Sequence, residues 1–116
     1  MDHIMARRSD ITGKLIRDGV AAVIAASGRT ARVKTLDETA YRAALWDKLD
    51  EEVEELRRAS NPNDVLEEAA DILEVLVSIA ETHGHTIDGL LRTAAMKRAE
   101  RGRFRNRLWL SAEGPQ

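Results

Sequence analysis

Two acidic clusters, one on each side of a single turn signal, limit what this chain can fold into. Glu51, Glu52 and Glu55 spell E-E-x-x-E; after a gap of twelve residues, Glu68 and Asp71 spell E-x-x-D. Between them, Asn61-Pro62-Asn63-Asp64 reads as a stop and a restart. Residues three apart share a helix face, so Glu52 converges with Glu55, and Glu68 with Asp71. Two such helices packed antiparallel bring four carboxylates to one place.

The apolar spacing supports that arrangement. At about 100° per residue, Tyr41, Leu45, Leu49, Glu52 and Leu56 fall in one stripe. Glu52 therefore stands inside an apolar face, with Glu55 and Lys48 on its flank. Downstream, Leu66, Ala70, Leu73, Val77 and Ala80 form one stripe. Ile72, Val75 and Ile79 form another opposite it, flanked by Glu68 and Asp71. A helix apolar on two sides is buried on two sides. Acids enclosed this way need a counter-charge. Hard divalent cations with oxygen ligands supply one, and magnesium usually also holds substrate phosphates. The competing reading is a solvated face laced with i,i+4 pairs such as Glu54 with Arg58. The apolar setting of Glu52, Glu68 and Asp71 favours the enclosed site.

The remaining punctuation predicts an all-α fold. A first helix is expected over Lys14 to Ser27, with Leu15, Val20, Val23 and Ile24 as its apolar positions and Gly28 as its stop. Residues 29–36 read as a connector. Asp37 caps a second helix running to about Ser60. The third runs to Thr82 and ends in His83-Gly84-His85, where the histidines favour a helix C-terminus electrostatically. Thr86 or Asp88 caps a fourth helix to Arg101, with Gly102 as its terminal glycine. Phe104 to Leu110 looks extended, and Ser111 to Gln116 frayed. Strand signals are nearly absent. The expectation is one domain with a core over about residues 14–110, an antiparallel bundle of about four helices with an extended C-terminal segment.

Composition narrows the function classes. There is no cysteine, so disulfides and thiolate metal sites are excluded. No apolar run approaches the length of a membrane span, and the first ten residues lack the apolar core of a signal peptide. These features read as cytoplasmic. The net charge of −2 hides a segregation, because residues 97–107 carry six Lys or Arg. Arg103, Arg105 and Arg107 alternate there. Phosphate of a nucleotide is the favoured partner for this segment, ahead of solvent and of nucleic acid. No glycine-rich phosphate loop is present, which argues against a P-loop enzyme. Trp46 lies off the main stripe and reads as a subunit-packing residue.

E-E-x-x-E followed by E-x-x-D on consecutive helices resembles the all-α nucleoside triphosphate pyrophosphohydrolases: MazG proteins, dimeric dUTPases, dCTP pyrophosphatases and phosphoribosyl-ATP pyrophosphohydrolase. Lys14-Leu15-Ile16-Arg17-Asp18 resembles the K-L-V-R-D opening of a small MazG-like group. Residues 97–110, KRAERGRFRNRLWL, resemble that group's K…R-G-G-F…R…L ending. The resemblance implies Mg2+, with Mn2+ as a substitute, held by Glu52, Glu55, Glu68 and Asp71. It implies that Glu51 positions or deprotonates the attacking water. Lys97 and Arg101 would face the phosphates, joined as substrate-binding candidates by Lys14, Arg17, Lys48 and Arg105. The implied reaction is NTP + H2O → NMP + pyrophosphate, in a homodimer or a tetramer. The chain departs from the group at Gly19-Val20, where Lys-Ile-Pro is usual, and at Arg103, where the second Gly is usual. A non-catalytic helical interaction or nucleic-acid-binding module is the alternative. Within the enzyme class, the alternative is the phosphoribosyl-ATP step.

Overall fold

The computed structural model describes residues 13–115; the polar lead expected over residues 1–10 lies outside them. Among the described residues there are four helices and no strands. We label them α1 (Val20–Ala26), α2 (Glu38–Arg58), α3 (Pro62–Thr82) and α4 (Ile87–Arg101). The all-α architecture is therefore as the sequence predicts. None of these helices is long and apolar enough to cross a membrane.

Local chemistry sets the boundaries. The Asp37 carboxylate accepts the backbone N–H of Ala40 at 2.8 Å and starts α2. Asn61 caps α3 in the same way, accepting the N–H of Asp64 at 2.9 Å, and Pro62 follows where its missing N–H costs nothing. Thr86 caps α4 by accepting the N–H of Gly89 at 3.0 Å. At the end of α3, Gly84 takes a φ of +85°, which returns the His85 N–H to the Ala80 carbonyl. Gly102 ends α4 with a φ of +83°.

The three residues between α2 and α3 fold them into an antiparallel hairpin. Its open end is fastened by Arg42, whose guanidinium donates to the Thr82 carbonyl at 2.6 Å. The predicted α2 stripe faces inward: Leu45 is 3% exposed, and Tyr41, Leu49, Glu52 and Leu56 are half-buried. On α3, Val75 is buried, and Glu68, Asp71, Ile72 and Ile79 are half-buried. The opposite side of α3 is covered only toward its C-terminal end, at Val77; Leu66, Ala70 and Leu73 are exposed. α4 contacts α3 and not α2, and α1 stands off from the other helices.

Two sequence expectations fail. The first helix begins at Val20, six residues later than expected, and Lys14 to Arg17 are irregular. The Lys14 and Arg17 side chains reach across to the hairpin. Phe104 to Leu110 is not extended throughout: the Arg107 N–H returns to the Phe104 carbonyl, and Arg107 has a φ of +57°. That turn breaks the alternation of the three arginines.

Much apolar surface is uncovered among the described residues. Phe104, Leu108, Trp109 and Leu110 in the tail are exposed, and so is Trp46 on α2.

Candidate metal centre

The hairpin brings three of the predicted acids together. Glu52 from α2, and Glu68 and Asp71 from α3, each place one carboxylate oxygen within 4.8 Å of the other two. All three are half-buried. Ligand oxygens around an octahedral magnesium ion are separated by roughly 3 to 4 Å. Small side-chain rotations therefore suffice to form a shared site. The donor set is all carboxylate oxygen, which suits a hard divalent cation. Glu55 is half-buried and near enough to raise the pKa of Glu68, but it is not part of the trio. It lies about 60° around α2 from Glu52, which leaves it on the flank of the stripe.

Three cations pair with the acids of the hairpin. Lys14 donates to Glu51 at 3.0 Å, and Arg17 to Asp71 at 2.7 Å. Lys48 reaches Glu51 at 3.4 Å and Glu52 at 3.6 Å. All three are substrate-binding candidates in the sequence, and the structure sets them against the acids. A cleft of 280 Å³ opens beside Glu51, between Lys14, Ala44 and Lys48. A larger groove of 1740 Å³ continues from Lys14 and Arg17 past Tyr41 to Arg29, Arg32 and Lys34. In the sequence this stretch reads only as a connector. Its three basic residues in six positions were the available signal.

The other predicted cations are not brought to the acids within the chain. Lys97, Arg101 and Arg105 are exposed, as is every residue from Leu91 to Arg101. Arg101 has Glu100 as its neighbour at 3.7 Å. The reason is topological: α4 leaves the open end of the hairpin, touches α3 alone and then ends in the exposed tail. The surface pair expected between Glu54 and Arg58 forms at 3.2 Å. His83 and His85 are exposed at the end of α3.

The acids divide electrostatically. Burial pushes the Glu68 carboxyl up to about 7, helped by its hydrogen bond with Glu52 and the charges of Glu55, Glu52 and Asp71. Burial also raises Glu52, against the pull of Lys48 and with the push of Asp71. Glu51 goes the other way. Burial opposes its ionisation, but the Lys14 hydrogen bond and the charges of Lys48 and Lys14 outweigh it, so its carboxyl sits below the usual range.

A pH dependence follows. Folded Glu68 keeps a proton that the unfolded chain, at about 4.5, has already released. Stability of the metal-free protein should therefore fall as pH rises from about 4.5 to about 7, and then level off. Thermal melts in chelator across that window check this, and Glu68→Gln should flatten the slope.

No known family model matches this chain, and no solved structure matches it. An uncharacterised protein of Mycolicibacterium smegmatis is 50% identical to it over 54 residues, which is 47% of this chain. The chain spans 55% of that relative's length.

Proposed function

We propose that this protein is a magnesium-dependent nucleotide pyrophosphohydrolase of the MazG-like kind, converting a nucleoside triphosphate or related nucleotide to the monophosphate and pyrophosphate. The observation that carries the reading is the convergence of Glu52, Glu68 and Asp71 from two helices, with Arg17 and Lys48 paired to them and Lys14 paired to the adjacent Glu51. A carboxylate trio with peripheral cations matches the needs of a metal–phosphate complex: anionic ligands for the ion, cationic groups for the remaining phosphate charge.

Glu52, Glu68 and Asp71 would hold the ion. When bound, it would polarise the α-phosphate and lower the pKa of a coordinated water. Glu51 is kept ionised by Lys14 and Lys48, so it would be available to orient or deprotonate that water. Lys48, between Glu51 and Glu52, fixes the geometry of both. Lys14 and Arg17 border both the acids and the groove, where they would meet phosphate oxygens. A cytoplasmic location suits this chemistry.

The uncovered side of α3, Trp46 and the apolar tail support a homodimer, with a tetramer as the larger possibility. Exposed apolar side chains such as Leu66, Leu73 and Trp46 are what a subunit contact would cover. In such an assembly Lys97, Arg101 and Arg105 would serve the acids of a neighbouring copy. The exposed basic tail supports a second reading, a polyanion-binding module, whose affinity would fall steeply with salt.

The test is pyrophosphate release, screened over ribo-, deoxyribo- and damaged nucleotides with Mg2+, alongside sedimentation at micromolar concentration. Monophosphate and pyrophosphate from an oligomer are expected. Diphosphate and free phosphate would mean attack at the γ-position, and no turnover with any nucleotide would sink the assignment.

A further inference from the structure

We propose that Arg17 is a resident counter-ion for Asp71 that a divalent cation displaces, converting the Gly13–Asp18 strap from a cover on the acids into a clamp for substrate phosphate. The inference rests on the metal-dependent reading above and concerns what the chain does before the ion arrives.

The strap is irregular from Lys14 to Arg17 and is tied to both halves of the hairpin. Lys14 reaches Glu51 on α2, and Arg17 reaches Asp71 on α3. The two ties differ. Glu51 has Lys48 as a second cation at 3.4 Å and stands outside the trio, so Lys14 and an ion do not compete for it directly. Asp71 belongs to the trio, and Arg17 is its ion-pair partner among the described residues. A divalent ion shared by Asp71, Glu52 and Glu68 would stand within a few ångströms of a guanidinium 2.7 Å from the same carboxylate. Like charges at that range repel, and the carboxylate gains more from two charges than from one.

Arg17 loses little by leaving. Its side chain and that of Asp71 are 56% and 39% exposed, so the released guanidinium is hydrated at once. It also already lines the groove. A guanidinium presents a planar fork of donors that fits phosphate in two places, which a lysine ammonium does not. Metal loading would thus both create the positive centre that receives the phosphate and free the side chain that grips it. By linkage, phosphate that draws Arg17 away from Asp71 strengthens metal binding by the same factor.

The test uses the full chain and Mn2+ alone, with no nucleotide. Calorimetric titration of wild type, Arg17→Ala and Arg17→Lys compares affinities, with circular dichroism confirming that each variant is folded. Arg17→Ala should bind Mn2+ about two- to five-fold more tightly, the range an exposed ion pair supplies. Arg17→Lys, which keeps the charge, should stay near wild type and guards against a merely structural effect of the truncation. Amide hydrogen exchange over residues 13–19 should accelerate when wild type is loaded with Mn2+. Unchanged or weaker affinity in Arg17→Ala, or a strap that becomes better protected on loading, overturns the proposal while leaving the metal centre standing. Wild type that binds no Mn2+, or binding that survives Glu52→Gln undiminished, removes the metal centre and this inference together.

Discussion

Glu52→Gln should yield a folded helical protein whose magnesium-dependent turnover is reduced at least about 100-fold, because outer-shell groups alone change metal affinity or activity roughly 10- to 100-fold. Glu52 is the one member of the trio supplied by α2, and it sits inside the apolar stripe that packs on α3. The carboxamide keeps the shape and removes the ligand charge. Two further signs should accompany the loss. Metal-free melting temperature should rise, since the charge of Asp71 no longer pushes on Glu52 and the charge of Glu52 no longer pushes on Glu68. Added Mg2+ should stabilise wild type and leave the variant unmoved, because only a bound ligand shifts the folding equilibrium. Asp71→Asn should behave alike. Full activity in both would exclude these carboxylates as ligands.

Leu45→Ala should be the most damaging single truncation in the core, costing about 2–5 kcal/mol. Leu45 is 3% exposed, and only Val75 and Val77 join it as buried apolar residues among those described. A domain of this kind has about 5–15 kcal/mol of stability in total. The variant should therefore unfold at markedly lower denaturant concentration, and the metal site should go with it, because Glu52 lies two turns along the same stripe. Leu66→Ala is the informative contrast. Leu66 is 70% exposed in the single chain, so it should matter only where an oligomer covers it. A melting temperature that drops in Leu66→Ala and depends on protein concentration would locate the subunit contact on that side of α3. A Leu45→Ala protein as stable as wild type would mean that the hairpin is not the core.

What the sequence made legible was local. Asp37, Asn61, Thr86 and Gly102 each act through a bond or backbone angle within a few residues, so their roles can be read from residue type and neighbours. The inward stripes of α2 and α3 were legible for the same reason, since periodicity is a local property. Three acids could be placed together because one short connection joins the helices that carry them. The failures are non-local. The segment from Lys14 to Arg17 has a helical pattern, but it is irregular, and its two cations pair with carboxylates 37 and 54 residues away. No window along the chain contains those partners, and tertiary context routinely overrides local propensity. The direction taken by α4 is likewise set by packing that a single sequence does not spell out. Hence Lys97, Arg101 and Arg105 were grouped with acids they do not meet inside one chain. The turn at Phe104 to Arg107 depends on a left-handed backbone at an arginine, which residue type gave no reason to expect.

The tight link between α2 and α3 makes the spacing of the two motifs a discrete quantity. Glu52 stands eight residues before Ser60 and Glu68 eight residues after it, so the two face each other as if reflected across the bend. One residue added within either helix, between the acids and the bend, rotates everything beyond it by about 100° and advances it by about 1.5 Å. Glu68 and Asp71 would then swing off the shared face, whatever residue was inserted. Lengthening both helices by a full turn, roughly seven residues together, restores the match. Chains that build the same trio on an equally short link should therefore carry a gap of twelve or of about nineteen between the motifs, and few lengths between.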